Sequence, residues 1–458
     1  LTGNFTFFEK TLLVYPLSEN LFFLGSLFLF LFTFLAALLL LICYGKSTKP
    51  ILILLLLTSS LVSYSANNYG IIFDHNMITN TFETDSREFL ELVNYKSFFY
   101  FLTLGLLPSL FVWKVDLKKL TLKKQFVQRL KYFLVLIVIF IVVILSFSKH
   151  YTAFARENRD LRLYITPTYY LYSMAKFIDS KIAISSKSFI EIGLDAKINK
   201  KSTNRRLVIL VVGETARSDH MSLNGYRLKT NPYLEKEKII SFKNMTSCGT
   251  DTAYSVPCMF SSLDRANYNH ARGKNMSNSL DVISRAGVSV LWLDNNSDSK
   301  GVALRVPYEN YRSSELNSKC NPECRDVGML SNIQKYIDSQ NNDDVLIVLH
   351  SMGSHGPAYY KRYPSEFEVF KPVCKTSQLN ECTDEQINNA YDNSLIYTDY
   401  FLSKVIELLK ENSENSDTAM FYISDHGESL GEGGLYLHGM PYIIAPEEQI
   451  KVPAFLWL

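Results

Sequence analysis

From Leu21 to Cys43 the chain carries no charged residue and consists almost entirely of Leu, Phe and Ala. A helix rising ~1.5 Å per residue crosses a ~30 Å hydrocarbon core over that length, and in lipid a segment must satisfy its own backbone hydrogen bonds. Three more apolar runs follow, near 50–72, 97–113 and 132–148. Residues 1–148 are therefore expected to form an α-helical transmembrane domain with four spans, near 21–43, 50–72, 97–113 and 132–148. Residue 1 is Leu and the chain stops inside the apolar run Val452–Leu458, so both ends are expected to be truncated.

Charge between the runs sets the orientation. Lys46 and Lys49 follow the first run, and Lys114, Lys118, Lys119, Lys123, Lys124, Arg129 and Lys131 follow the third against the single acid Asp116. Basic loops stay cytoplasmic. The acidic segment with Glu83, Asp85, Glu88 and Glu91, and everything after Lys149, then face the opposite side, which in a bacterium with two membranes is the periplasm. Residues 76–93 space Met77, Phe82, Phe89, Leu90 and Val93 as an amphipathic helix does, lying on the membrane surface or simply packed.

Six of the seven cysteines fall in the polar part as close pairs: Cys248 and Cys258, Cys320 and Cys324, Cys374 and Cys382. Six cysteines allow fifteen pairings, but short loops close at least entropic cost, so three local disulfides are expected, and with them an oxidising compartment. Zinc knuckles fit less well, because the spacings are mismatched and no His accompanies them. A net charge of +2 with no basic stripe gives no sign of a nucleic-acid partner.

Residues 149–204, with Tyr164, Tyr169, Tyr170 and Tyr172, read as a bridging helix and linker at the membrane–water interface. Over 205–458 short β-branched runs (Leu207–Val212, Val288–Leu293, Val345–Leu349, Ala419–Ser424) alternate with helical stretches such as Asn389–Lys410. Near-continuous apolar strands predict an α/β domain whose mainly parallel sheet is buried on both faces.

Functional groups in such a sheet collect beyond the carboxyl ends of the strands. Glu214 follows the first run, His355 lies shortly after the third, and Asp425 and His426 follow the fourth, with His438 soon after. Between Ser247 and Cys258 a cysteine-bracketed loop holds Thr250, Thr252 and Ser255; a hydroxyl there can act as a nucleophile if a metal or base lowers its pKa. Taken singly, an acid after a strand is a helix cap, a lone His is a hydrogen-bonding residue and Lys300 is solvated surface. Together they favour a divalent-metal site. Glu214, Asp425 and His426 with Thr252 suit tetrahedral Zn²⁺, His355 and His438 are placed to hold a second zinc or meet a phosphate, and Lys300 to supply positive charge.

The stretches Gly213-Glu-Thr-Ala-Arg217, Ser247 to Phe260, Ser354-His-Gly-Pro357 and Ser424-Asp-His-Gly-Glu-Ser429 resemble the phosphoethanolamine–lipid A transferases, which include the mobile colistin-resistance enzymes, and the likeness covers almost the whole chain. The resemblance implies a periplasmic α/β/α domain of alkaline phosphatase/sulfatase type. It implies zinc on Glu214, Thr252, Asp425 and His426, with Thr252 the nucleophile, and a second zinc or the phosphoethanolamine group at His355 and His438. It further implies substrate contacts from Asn296, Ser297 and Lys300 and, between spans, from Asn80 and Glu88. The implied reaction moves phosphoethanolamine from phosphatidylethanolamine to a phosphate of lipid A in the bacterial inner membrane, giving polymyxin and colistin resistance. Family members have five spans, so Leu1–Phe8 reads as the tail of a first one. Cys320 and Cys324 stand closer together than the corresponding family pair.

Three rival readings remain at this point. One keeps the chemistry and changes the acceptor to another outer glycan or lipid, or the donor to a phosphoglycerol lipid. A second is a sulfatase or phosphodiesterase using water, disfavoured because sulfatases of this fold mature a Cys or Ser. The third is a membrane-anchored binding protein with structural zinc, in which Thr252→Ala would leave function intact.

Overall fold

The computed structural model describes every residue except 1, 85, 118–119, 187, 199–203 and 341–342, and only the backbone of 2, 86–88, 122 and 183–186. It divides into two compact units, Leu1–Asp74 with Val93–Ser173, and His75–Leu92 with Met174–Leu458. The segment His75–Leu92, which the sequence grouped with residues 1–148, packs with the second unit. Glu83 and Glu91 find their cationic partners there.

In the first unit four helices are long and apolar enough to cross a membrane: Leu17–Ile42, Gly45–Tyr69, Tyr95–Lys114 and Lys123–Ser146. Aromatic pairs join the first and last, with the rings of Phe30 and Phe140 stacked at 4.7 Å. Helices in lipid approach closely through small residues. Gly105 does this, since a Cβ there would lie 2.7 Å from Ser60 Oγ. It sits within the π-helical stretch Phe101–Leu106 of the third span. Phe22, Leu54, Phe111 and Val138 remain exposed, as side chains facing lipid do.

The second unit is built on strands β1 (Arg205–Gly213), β2 (Ile240–Thr246), β3 (Ser289–Asp294), β4 (Tyr308–Asn310), β5 (Val345–His350), β6 (Ser416–Ser424), β7 (Ser429–Leu430), β8 (Tyr436–Leu437) and β9 (Lys451–Trp457). Seven of them form one sheet in the order β2-β9-β6-β1-β5-β3-β4, while β7 and β8 pair separately. From β6 to β4 every pairing is parallel; β9 alone runs against its neighbours β6 and β2. Val211 and Val212 of β1 point to opposite faces and are both fully buried, so both faces are covered. Each such side chain contributes about 1.5–3 kcal/mol of burial free energy.

The helix Asp384–Glu411 starts at Thr383, whose side chain accepts from Gln386 N at 3.3 Å. It buries Tyr391, Tyr397, Phe401 and Leu402. Val256 and Phe260 pack into a second cluster with Leu280, Trp292 and Val348. Because β6, β1, β5 and β3 are parallel, Asp425, Glu214, His350 and Asp294 all emerge at the same end of the sheet.

Candidate active site

Glu214 and Asp425 leave adjacent strands at the same level, since Gly213 is in register with Ser424. The backbone there is tightly determined. Asp425 N donates to Gly213 O at 3.0 Å, and Ser255 Oγ donates to Asp425 O at 2.5 Å. Thr215 has φ of 52° and Gly353 has φ of 51°; a Cβ on Gly353 would fall 2.7 Å from Glu214 O. That position admits glycine for both reasons.

Thr252 opens the helix Thr252–Met259. The sequence suggested a short loop here, with Gly249 allowing a tight turn and Pro257 fixing its exit. Capping decides otherwise: the Asp251 carboxylate accepts from Tyr254 N at 2.9 Å, and Ser255 N donates to Asp251 O at 2.8 Å. The helix N-terminus favours negative charge beside Thr252. The Cys248–Cys258 disulfide spans the segment, and Cys320–Cys324 and Cys374–Cys382 are the other two bridges.

Thr252 Oγ1 donates to Glu214 Oε2 at 3.1 Å and lies 3.3 Å from His426 Nε2. His426 Nδ1 sits 2.9 Å from Gly427 O, which can only accept, so Nδ1 carries the proton and Nε2 presents its lone pair. Burial holds this imidazole below its ordinary pKa, against the pull of Asp425. Nε2 then faces Glu214 Oε1 and Asp425 Oδ2, each at 3.4 Å. Asp425 Oδ2 is buried and receives no hydrogen bond among the described residues. Electron-rich atoms converging in a buried site favour a cation between them. The donor set of two carboxylates, one imidazole and one hydroxyl fits a divalent metal.

A second group adjoins it, formed by His426, Glu428 and His438. The rings of His426 and His438 lie 4.4 Å apart, and those of His355 and His438 5.6 Å apart. Glu428, which the sequence reading did not single out, is fully buried and accepts from Tyr359 Oη at 2.7 Å and from His438 Nδ1 at 2.9 Å. Burial works against a charged His438, but Glu428 outweighs it and raises the pKa. His355 shifts the other way, well below its ordinary value, through burial and the nearby His438. The only sequence signal for Glu428 was its place two residues after His426.

The other sequence-derived residues fall in different places. Asn296 is at the centre, its Nδ2 donating to Glu214 Oε2 at 2.7 Å and to Ser351 O at 2.9 Å. Asp294 shapes that loop by accepting from the backbone N–H of Asn296 at 3.0 Å and of Asp298 at 3.2 Å, and His350 Nδ1 lies 2.9 Å from its other oxygen. Ser297 turns back on the Asn296 side chain. Lys300 is buried, and its Nζ donates to Ser297 O and to Glu83 O, both at 3.1 Å. Asn80 is half-buried on the helix His75–Glu83. The Glu88 side chain lies outside the described residues.

A family model described as Sulfatase matches residues 206–458, and one described as Phosphoethanolamine transferase EptA/EptB matches residues 31–182. Phosphatidylethanolamine transferase Mcr-2 of Escherichia coli is 44% identical over 468 residues, covering 100% of this chain and 87% of that protein. Phosphoethanolamine transferase EptA of Escherichia coli is 38% identical over 462 residues, covering 99% of this chain and 84% of that protein. Among solved structures, the integral membrane lipooligosaccharide phosphoethanolamine transferase A from Neisseria meningitidis matches with a TM-score of 0.94 at 34% identity, covering 99% of this chain and 85% of that one.

Proposed function

We propose that this chain, which belongs to the phosphoethanolamine transferase family, carries phosphoethanolamine from phosphatidylethanolamine to a phosphate of lipid A by way of Thr252. It is a multi-pass inner-membrane enzyme with its sulfatase-type domain in the periplasm. In the proposed layout residues 1–148 span the membrane, 149–204 bridge, and 205–458 catalyse.

In the first half-reaction Thr252 Oγ bonds to the phosphorus of phosphatidylethanolamine as the bond to diacylglycerol breaks. The departing oxygen takes a proton from His438, which Glu428 orients, and the proton released by the Thr252 hydroxyl restores the one His438 gave. In the second, a hydroxyl oxygen of a lipid A phosphate attacks the phosphoethanolamine–Thr252 ester and gives up its proton, and Thr252 Oγ leaves with a proton from His438, which the phosphate's proton replaces. Zn²⁺ held by Glu214, Thr252, Asp425 and His426 would lower the Thr252 pKa and stabilise charge on the phosphoryl oxygens. His355 and His438 would hold the phosphoethanolamine group or a second zinc, and Asn296, Ser297, Lys300, Asn80 and Glu88 would contact substrate. The added amine makes the outer surface less negative, which weakens binding of cationic polymyxins such as colistin.

The observation that supports this most is the Thr252 hydroxyl at a helix N-terminus, 3.1 Å from Glu214 and 3.3 Å from His426. The test is mass spectrometry of lipid A from cells expressing the protein or Thr252→Ala at equal abundance. A phosphoethanolamine increment that vanishes with the substitution supports the reading. Modification of a different glycolipid instead would change the acceptor and leave the chemistry.

A further inference from the structure

Arg362 is an almost fully buried arginine, with 3% of its side chain exposed. Its Nε donates to the carbonyl oxygen of His355 at 2.7 Å. Its Nη2 pairs with Glu91 on the helix Ser86–Leu92, and its Nη1 lies 3.5 Å from Glu323 Oε2. The neighbouring Lys361 also reaches Glu91, at 3.3 Å. We propose that Arg362 is a positioning residue for the transfer reaction, tying the inter-span segment His75–Leu92 to the loop that carries His355 so that the two keep one register.

The shape of the guanidinium enforces this register. Its donors form a rigid planar fork, so Glu91 cannot shift without turning the plane and drawing Nε off the His355 carbonyl. Leaving the arginine buried without its acid is costly, so the fork and the carboxylate move together. A lysine here could keep the ion pair but could not reach both partners.

The rest of the segment makes the same kind of attachment. Glu83 Oε1 accepts from Lys274 Nζ at 2.8 Å, and its main-chain carbonyl, at the C-terminal end of the helix His75–Glu83, accepts from Lys300 Nζ at 3.1 Å. That is where a helix dipole favours a cation. Met77 lies against Gly439, where a Cβ would fall 3.1 Å from the methionine methyl, next to His438. One segment thus touches the loops bearing Lys300, His355 and His438. Any displacement of it is felt at all three. The inference deepens the proposed function, because it takes from that reading that His355 serves the phosphoethanolamine group.

The test uses the full-length protein in detergent, with Glu91→Gln, Arg362→Met, the double variant and Arg362→Lys. With phosphatidylethanolamine as donor, Glu91→Gln and Arg362→Met are each expected to raise KM and lower kcat, with kcat/KM down about tenfold, and the double variant to be no worse than either. Arg362→Lys is expected to recover KM while kcat stays low. Hydrogen exchange should rise at residues 355–362 in Glu91→Gln, although Arg362 is 271 positions from Glu91. Losses that multiply in the double variant, or exchange confined to 75–92, would overturn the tie. If Arg362→Met fails to fold, Glu91→Gln carries both readouts. If the parent does not use phosphatidylethanolamine, the exchange arm still decides the coupling, and it is the reading of function that fails.

Discussion

Thr252 Oγ1 donates to Glu214 Oε2 at 3.1 Å, joining the first residue of a short helix to the end of a strand 38 positions earlier. His426 Nε2 stands 3.4 Å from the other Glu214 oxygen, so the same carboxylate meets the hydroxyl on one side and the imidazole lone pair on the other.

Asp425→Asn is expected to purify folded but with bound zinc falling towards zero, read by elemental analysis beside the parent. An amide can still accept from the backbone of Thr215 and His426 at the Oδ1 position, yet it presents no anionic oxygen where Oδ2 now faces His426. Zinc content unchanged from the parent would contradict the ligand set.

Asn296→Ala removes the 2.7 Å hydrogen bond that fixes Glu214 Oε2. Groups that orient a ligand typically matter by about 10–100-fold in metal affinity. Chelator competition should show a loss in that range, with little change in melting temperature in excess zinc. A loss of substrate affinity with metal affinity intact would assign Asn296 to substrate alone.

Gly353→Ala places a Cβ at φ of 51° and 2.7 Å from Glu214 O. Backbone strain of this kind costs about 1–3 kcal/mol, and the displaced strand end carries Glu214 with it. Thermal unfolding should show that loss, and activity should fall further than the stability change explains.

The buried Arg217 pairs with Glu432 at 2.6 Å and Asp219 at 2.7 Å. Burial alone would raise the pKa of each acid, but Arg217 outweighs it and holds both below their ordinary values. The unfolded chain therefore binds protons first as the pH falls, so the stability from this cluster is full above about pH 4.5 and is lost below it. Glu432→Gln should be less stable than the parent near neutral pH, and its melting temperature should fall less steeply between about pH 5 and about pH 3. Parallel curves would mean that Glu432 does not share in the acid limb.

The membrane runs were legible because an uncharged stretch such as Leu21–Cys43 has few alternatives, and β1, β3, β5 and β6 because β-branched runs end at acids or His. Four features were not. The helix Thr252–Met259 was read as a loop because Cys248 and Cys258 bracket it, and the Asp251 cap reveals it. Glu428 reads as an ordinary acid until Tyr359 and His438, 69 positions before it and 10 after, are seen to bond it. Residues 75–92 look equally suited to a membrane surface, since their partners Lys274 and Lys361 lie 191 and 270 positions along the chain from Glu83 and Glu91. The reversed direction of β9 likewise follows from pairing with β2 and β6 rather than from its own residues.

The most direct test of the account is peptide mass spectrometry of the purified full-length protein after exposure to phosphatidylethanolamine without lipid A. Transfer by way of Thr252 leaves a phosphoethanolamine adduct on the peptide containing Thr252, localised to that residue and discharged when lipid A is added. An adduct on another residue, or transfer to lipid A that proceeds at the parent's rate in Thr252→Ala, would contradict it.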